Sequence, residues 1–302
     1  MSKCSQSEKY KEKTLHFSLI KDSEEFENFN FYTYQAIEHA FNGSVGAPVH
    51  EMLQTGIKVL EFGCRTGIWT TEVADEYPNS KFYAVDFATR NSNDDKITFI
   101  SCDIHQMLPF PDNEFDYVFS RNKTNFFAKD KFQGFLFEIF RILKPGGWLE
   151  IEHSLPVDVN DACAPAFARI NAAYASWHKE RGIDFDLITR LEDYLQMTGK
   201  VEFITSRIVK VPLGGDDLGE FTSETTSYFI KLIKELLVPY MGIAFEEYDR
   251  LVSEVEDEMK GKCGEPFASQ IKVFAKNKKT ICAFLRNLKC YIRTVPAFFG
   301  II

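Results

Sequence analysis

The sequence predicts an α/β fold: a parallel sheet covered by helices on both faces. Three observations carry this. Short, nearly continuous apolar runs alternate with amphipathic stretches, the pattern of strands buried on both sides. The stretch "KVLEFGCRTGIWT" (58–70) reads as strand, tight turn and helix, with Gly63 and Gly67 in the turn. The next apolar run, "KFYAVDF", ends in an acidic residue, Asp86, 23 positions after Gly63. That is where an open sheet presents a carboxylate to a ligand.

Each element has its own signal. From about 23 to 54 the pattern is helical, with Tyr34, Ile37 and Phe41 at helical spacing and a Gly-Ala-Pro break before "PVHEML". "IKVLEFG" is the first strand, and "GIWTTEVADEY" a helix ended by Pro78. "KFYAVDF" is the second strand. "ITFISCDI" is the third, after a polar loop at 91–95, and "FDYVFSR" the fourth, opened by the turn "PFPDNE". The helix "KFQGFLFEIFRIL" is stopped by "KPGG", and "GWLEIEH" is a fifth strand. Residues 156–198 look helical, "VEFITSRIVKVPLG" alternates like a strand, 220–260 is helical, and "PFASQIKVFAKN" is the last strand. Aromatics such as Phe167, Tyr174, Trp177, Phe229 and Tyr240 are expected to pack a cap, and "FEEYDRLVSEVEDEMK" to present a solvated acidic face.

The 302 residues can bury a full core. A net charge of −9 argues against a general polyanion binder, so no nucleic-acid partner is expected. The seven cysteines form no C-x-x-C pair and no metal spacing, and no metal site is expected. An odd, scattered set fits reduced thiols in the cytoplasm, or in the nucleus as the alternative. The first residues, "MSKCSQSEKYKEKT", lack an apolar run, so no signal peptide is expected.

Four positions fall at strand ends where an open sheet binds ligands: Glu61, Asp86, Asp103, and Ser120 with Arg121. An acidic residue ending the second strand suits two ribose hydroxyls. A pyrophosphate would want G-x-G-x-x-G and a helix N-terminus free for phosphate. Here carboxylates outnumber phosphate donors, so an adenosine bearing an ammonium group fits better than a dinucleotide.

In order and spacing, "VLEFGCRTGIWT", "YAVDF", "CDI", "FPDNEFDYVFSR" and "RILKPGGWLEIE" resemble the class I S-adenosylmethionine-dependent methyltransferases. They are most similar to a fungal group that looks like regulators of secondary metabolism. The resemblance covers about 23–155 and runs more loosely to "ASQIKVFAKN". It implies a Rossmann-like seven-stranded mixed sheet of order 3-2-1-4-5-7-6, its final strand antiparallel, with helical cap insertions at about 156–198 and 213–265. It implies a domain at 23–276 between a flexible segment (1–22) and a tail (277–302). The implied cofactor is S-adenosylmethionine, with a small-molecule substrate as partner. Gly63 and Gly67 would form the turn beneath it, Glu61 hold the methionyl amine, and Asp86 the ribose. Asp103 would face the adenine amine with the Ile104 amide near a ring nitrogen, and Ser120 and Arg121 would line the methionyl chain.

Two features stand apart from that pattern. Position 65 is commonly glycine in the family, and here it is Arg65. Its side chain either lies along the surface on a backbone of negative φ, or intrudes beside the sulfonium, or pairs with the methionyl carboxylate. The alternative to an active enzyme is thus an impaired pseudo-methyltransferase acting as a binding or regulatory protein. Methyl transfer needs alignment and a dry site rather than a triad. His153, just past the fifth strand, is the candidate base, and His105 a neighbour of the adenine site. The tail "TICAFLRNLKCYIRTVPAFFGII" spaces Ile281, Phe284, Leu285, Leu288 and Ile292 helically among basic residues. A membrane-surface helix, docking on the body and an unstructured tail stay open for it.

Overall fold

The computed structural model describes residues 24–87, 94–124, 127–158, 164–183, 185–215, 217–260 and 267–279. The N-terminal segment and the tail beyond residue 279 lie outside these residues.

Along the chain run α1 (Glu24–Phe41), α2 (His50–Thr55), β1 (Lys58–Phe62), α3 (Ile68–Glu76), β2 (Lys81–Asp86), β3 (Ile97–Ser101) and β4 (Phe115–Arg121). There follow α4 (Lys129–Ile142), β5 (Leu143–Asp158), α5 (Pro165–Lys179), α6 (Asp186–Thr189), α7 (Leu191–Met197) and β6 (Val201–Pro212). The chain then forms α8 (Asp217–Leu232), α9 (Lys234–Met241), α10 (Phe245–Lys260) and β7 (Phe267–Asn277). The seven strands stand in the order β3-β2-β1-β4-β5-β7-β6. β1 to β5 are parallel neighbours, and β7 runs antiparallel to both β5 and β6. This is the sheet order that the resemblance implies.

Three differences from the sequence expectation have physical causes. The stop "KPGG" does not separate α4 from β5. Strand geometry starts at Leu143, and Gly146 takes a φ of +81° that lets the strand bend while pairing with β4. The run 220–260 is three helices, because Gly242 caps α9 in the left-handed conformation. The acidic α10 does show a solvated face, and its other side buries Tyr248, Leu251, Val252, Val255 and Met259.

Alternation along the strands sends side chains to two cores. Leu60, Phe62, Val118 and Ile151 face Phe132, Leu136 and Ile139 of α4. Val59, Tyr117 and Phe119 face Tyr34, Leu53, Trp69 and Val73. Trp69 stacks on Phe119 at 3.9 Å and 9° and donates its indole N–H to the Ser44 carbonyl at 2.9 Å. A third cluster, with Phe167, Tyr174, Trp177, Ile230 and Leu237, joins α5 to α8–α10 as a cap. Helix α1 packs on α8 through Tyr32 stacked on Tyr228 (5.6 Å, 12°) and Phe29 against Phe229 (5.8 Å). Among the described residues no helix is long and apolar enough to cross a membrane.

A charged cluster lies buried between β5 and β7. Lys272 bridges Glu150 (3.6 Å) and Glu152 beneath the ring of Phe41, and Arg121 reaches Glu152 at 2.6 Å. Glu150 also accepts from the Tyr117 hydroxyl (2.8 Å) and from the backbone amides of Gly46 (3.0 Å) and Ala47 (2.7 Å). It thereby pins the loop after α1 to the sheet. Burial pushes the Glu150 carboxyl up; the Lys272 ammonium pulls it back, and the charge of Glu152 adds to the rise.

Candidate functional site

β1 lies between β2 and β4, so its carboxyl end is the switch point of the sheet. There the chain leaves Phe62 through Gly63 (φ +76°), whose amide and that of Cys64 both donate to the Val85 carbonyl at the end of β2. The turn closes at Gly67 (φ +72°), the N-cap of α3, where a Cβ would lie 2.7 Å from the ring of Phe99. Both glycines lie in a tight turn at the carboxyl end of β1.

Glu61 is 5% exposed, and its Oε2 accepts from the Thr70 amide (3.2 Å) and hydroxyl (2.5 Å). Burial raises its pKa to about 7, against the opposing pull of Thr70, Arg121 and Lys123. The folded value lies above the unfolded one, so the wild-type fold loses stability as pH rises from about 4.5 through about 7. Glu61→Gln, which cannot ionise, is therefore expected to gain about 2–3 kcal/mol over the wild type between pH 4 and pH 8. Urea unfolding at several pH values checks this; parallel curves would place the Glu61 pKa at its ordinary value.

Asp86 ends β2. Its Oδ1 accepts from the Phe87 amide (2.7 Å), and its Oδ2 from the Arg65 amide (2.8 Å), with the Lys123 ammonium at 3.7 Å. Burial would raise this carboxyl, but Lys123 and the two amides outweigh it and hold it low. Lys123 is 4% exposed and is pulled down to about 8, by burial and by the nearby charge of Arg65.

Arg65 does not take the surface route on a negative-φ backbone read from its sequence position. Its φ is +49°, not negative, so a non-glycine residue occupies the left-handed turn. The side chain runs towards α1, not along the surface. The guanidinium stands 5.8 Å from the ring centres of both Phe26 and Phe29, with Nη1 3.5 Å from Asn30 Oδ1. Cation–π attraction of about 0.5–1 kcal/mol per ring offsets a backbone penalty of about 1–2 kcal/mol. Arg65→Gly removes both and adds about 0.5–1 kcal/mol of chain entropy. Its thermal midpoint is expected to stay within a few degrees of the wild type, which differential scanning calorimetry reads directly.

Arg121 lies over the rings of Tyr34 and Phe119, both at 5.3 Å. Its Nε is held by Glu152, while Nη2 is buried with no hydrogen-bond partner among the described residues. Thr33 Oγ1 of α1 is buried without a partner as well. Both residues line a cavity of about 40 Å³ that is also walled by Glu61, Gly63, Arg65 and Asn122. That is room for a few waters. Sequence reasoning placed Arg121 here but missed Thr33, Asn30 and Lys123. Thr33 and Asn30 sit on a helix whose periodicity reports only packing.

The remaining assigned residues are spread around this centre. Asp103 is exposed and caps its own turn, accepting from the His105 amide (3.0 Å) and Gln106 Nε2 (2.9 Å). The Ile104 side chain is 3% exposed in the core below, and His105 lies edge-on to Phe127 at 4.9 Å. Ser120 is buried beside Phe62 and Ile151. His153 is 4% exposed, and its Nδ1 lies 2.7 Å from the Ser154 carbonyl, so Nδ1 carries the proton. Nε2 is then a buried acceptor with no partner among the described residues. Burial pulls the imidazole down to about 4, and the charge of Arg65 adds to the fall, so the ring is neutral near pH 7.

The donor set suits an adenosyl amino acid: carboxylates for ribose and ammonium at Asp86 and Glu61, and unused donors for a carboxylate at Arg121 and Thr33. Space does not follow until Lys123 leaves Gly63, since the turn and the Lys123 stem are in contact.

Comparison with known proteins gives a consistent picture. The family described as a methyltransferase domain matches residues 59–147. The sterol 24-C-methyltransferase erg6 of Aspergillus fumigatus is 32% identical over 170 residues, covering 52% of this chain and 41% of its own. The sterol 24-C-methyltransferase of Yarrowia lipolytica is 30% identical over 174 residues, covering 50% and 43%. The chain thus spans less than half the length of these relatives. Among solved structures, the phosphoethanolamine N-methyltransferase 2 of Haemonchus contortus, in complex with S-adenosylhomocysteine, aligns over 82% of this chain and 57% of its own, with 19% identity and a TM-score of 0.47. Residues 59–147 of this chain thus match the family described as a methyltransferase domain, and they lie in a sheet of order 3-2-1-4-5-7-6.

Proposed function

We propose that this chain binds S-adenosylmethionine at the β1–β2–β4 edge and transfers its methyl group to a small-molecule acceptor. The observation that carries this reading is the joint placement of Glu61, Asp86 and the Gly63–Gly67 turn at the switch point of the sheet, inside the stretch matched by the methyltransferase family. When bound, the cofactor supplies a methyl group activated by its sulfonium. The chain's own residues do the rest. Asp86 accepts from the two ribose hydroxyls, and Glu61, once ionised, takes the ammonium. Arg121 Nη2 and Thr33 Oγ1 offer donors to the carboxylate. Asp103 and the Ile104 amide flank the base, and Ser120 closes the floor. His153 Nε2 offers a fixed acceptor for a proton on the methylated group. The cap aromatics of α5 and α8 exclude water.

The finer placement beside the fungal secondary-metabolism regulators rests on the motifs alone. A cytoplasmic or nuclear location rests on the scattered cysteines. A second reading, a non-catalytic binding protein, is favoured by one observation: Lys123 fills the space above Gly63 and Asp86. Titration calorimetry with S-adenosylmethionine and S-adenosylhomocysteine separates the two. Saturable binding of one ligand per chain is expected. Absence of heat at millimolar ligand, for the natural chain and for Lys123 and Arg65 variants alike, overturns the enzyme reading.

A further inference from the structure

Lys123 is the one cleft residue whose position conflicts with the role of its neighbours. It follows Arg121 and Asn122 at the end of β4, and its stem folds back across the turn. A Cβ built on Gly63 would lie 2.6 Å from Lys123 Cδ and 2.8 Å from Cγ, so the stem covers the glycine. Beyond the stem, the ammonium stands 3.7 Å from Asp86 Oδ2, and the residue is 4% exposed. Stem and ammonium therefore hold two distinct places at once. One is the surface of the turn that a bound amino-acid chain would cross. The other is the carboxylate oxygen that a ribose hydroxyl would approach. Both are places that the methyltransferase reading assigns to the cofactor, and the inference rests on that reading.

We propose that Lys123 is an internal occupant of the cofactor cleft, which an adenosyl ligand must displace from Gly63 and Asp86 before it can bind. The residue thus sets the affinity of the site. Part of the binding free energy of any adenosyl ligand goes into breaking the Lys123–Asp86 contact and moving a packed stem. The cavity beside the turn, about 40 Å³, has room for a few waters. Arg65 does not play this part, since its guanidinium is engaged by Phe26, Phe29 and Asn30 of α1. Displacement is possible because the obstruction is a flexible side chain: no backbone atom stands within 4 Å of the Gly63 position among its three nearest neighbours.

The test is calorimetric titration of S-adenosylhomocysteine into the natural chain, Lys123→Ala and Lys123→Met. Lys123→Ala removes stem and charge, and its affinity is expected to rise at least tenfold. Lys123→Met keeps most of the stem without the charge, and its affinity is expected to fall between the other two. Far-ultraviolet circular dichroism confirms that each variant is folded. A second measurement uses the natural chain only: labelling with an amine-reactive acetyl ester, read by mass spectrometry. Lys123 is expected to be protected in the free protein and labelled once S-adenosylhomocysteine is added. Equal or weaker binding by both variants, or labelling that ignores the ligand, overturns the displacement proposal while leaving the methyltransferase reading intact. Failure of the natural chain and of both variants to bind overturns that reading itself.

Discussion

Lys272→Met is expected to lower the unfolding free energy by about 3–5 kcal/mol, the effect of removing one partner from a buried ion pair. The lysine is 1% exposed and lies between two carboxylates that are fully buried. Without it, among the described residues, Glu150 and Glu152 face each other with Arg121 as the remaining cation, and Arg121 reaches Glu152 alone. Methionine fills the space under Phe41 but supplies no charge. The midpoint of urea unfolding at pH 7 should drop with the slope unchanged, because the surface exposed on unfolding is the same. The sign of the pH dependence follows from Glu150, whose folded pKa is already raised. The deficit of the variant is greatest at high pH and shrinks as acid protonates Glu150. Adding Glu150→Gln should recover part of the loss, because the two positions are coupled. A single-site loss below about 1 kcal/mol would show that the cluster is hydrated rather than dry.

Asp86→Asn is expected to weaken S-adenosylhomocysteine binding a hundredfold or more. Two hydrogen bonds from ribose hydroxyls to a carboxylate contribute about 3–5 kcal/mol together, and each 1.4 kcal/mol is tenfold in affinity. Asparagine is nearly the same size, so the acceptor for the Phe87 or Arg65 amide survives while the charge is lost. The same change frees Lys123 from its anion, which would by itself help a ligand enter. The net fall is therefore a lower bound on the worth of the carboxylate. Unchanged affinity by calorimetry would remove the ribose assignment.

How much of this was legible in the sequence depends on the range of the contacts. β1, β2 and β4 read clearly because strands buried on both faces leave unbroken apolar runs. Glu61, Gly63, Gly67 and Asp86 read clearly because a strand end and a turn are local features. What stayed hidden is set by distant partners. Arg65 takes a left-handed backbone because its own amide is claimed by Asp86 and its guanidinium by rings on α1. Nothing near position 65 announces either. The acidic pair "EIE" in β5 finds its counter-charge in Lys272, over a hundred residues later. Asp103 reads as the end of the third strand, but β3 stops at Ser101, and Asp103 stands two residues on in a turn, where its carboxylate accepts from the His105 amide and the Gln106 side chain.

The stretch matched by the methyltransferase family begins at Val59, but the architecture of the cleft begins at Glu24. A shortened polypeptide cut to the matched boundaries would strip Arg65 of its ring sandwich, remove Thr33 and Asn30, and turn the Glu150 latch on Gly46 and Ala47 into an open acid. Any shortened form of this chain therefore needs to keep its first helix and the loop that follows it.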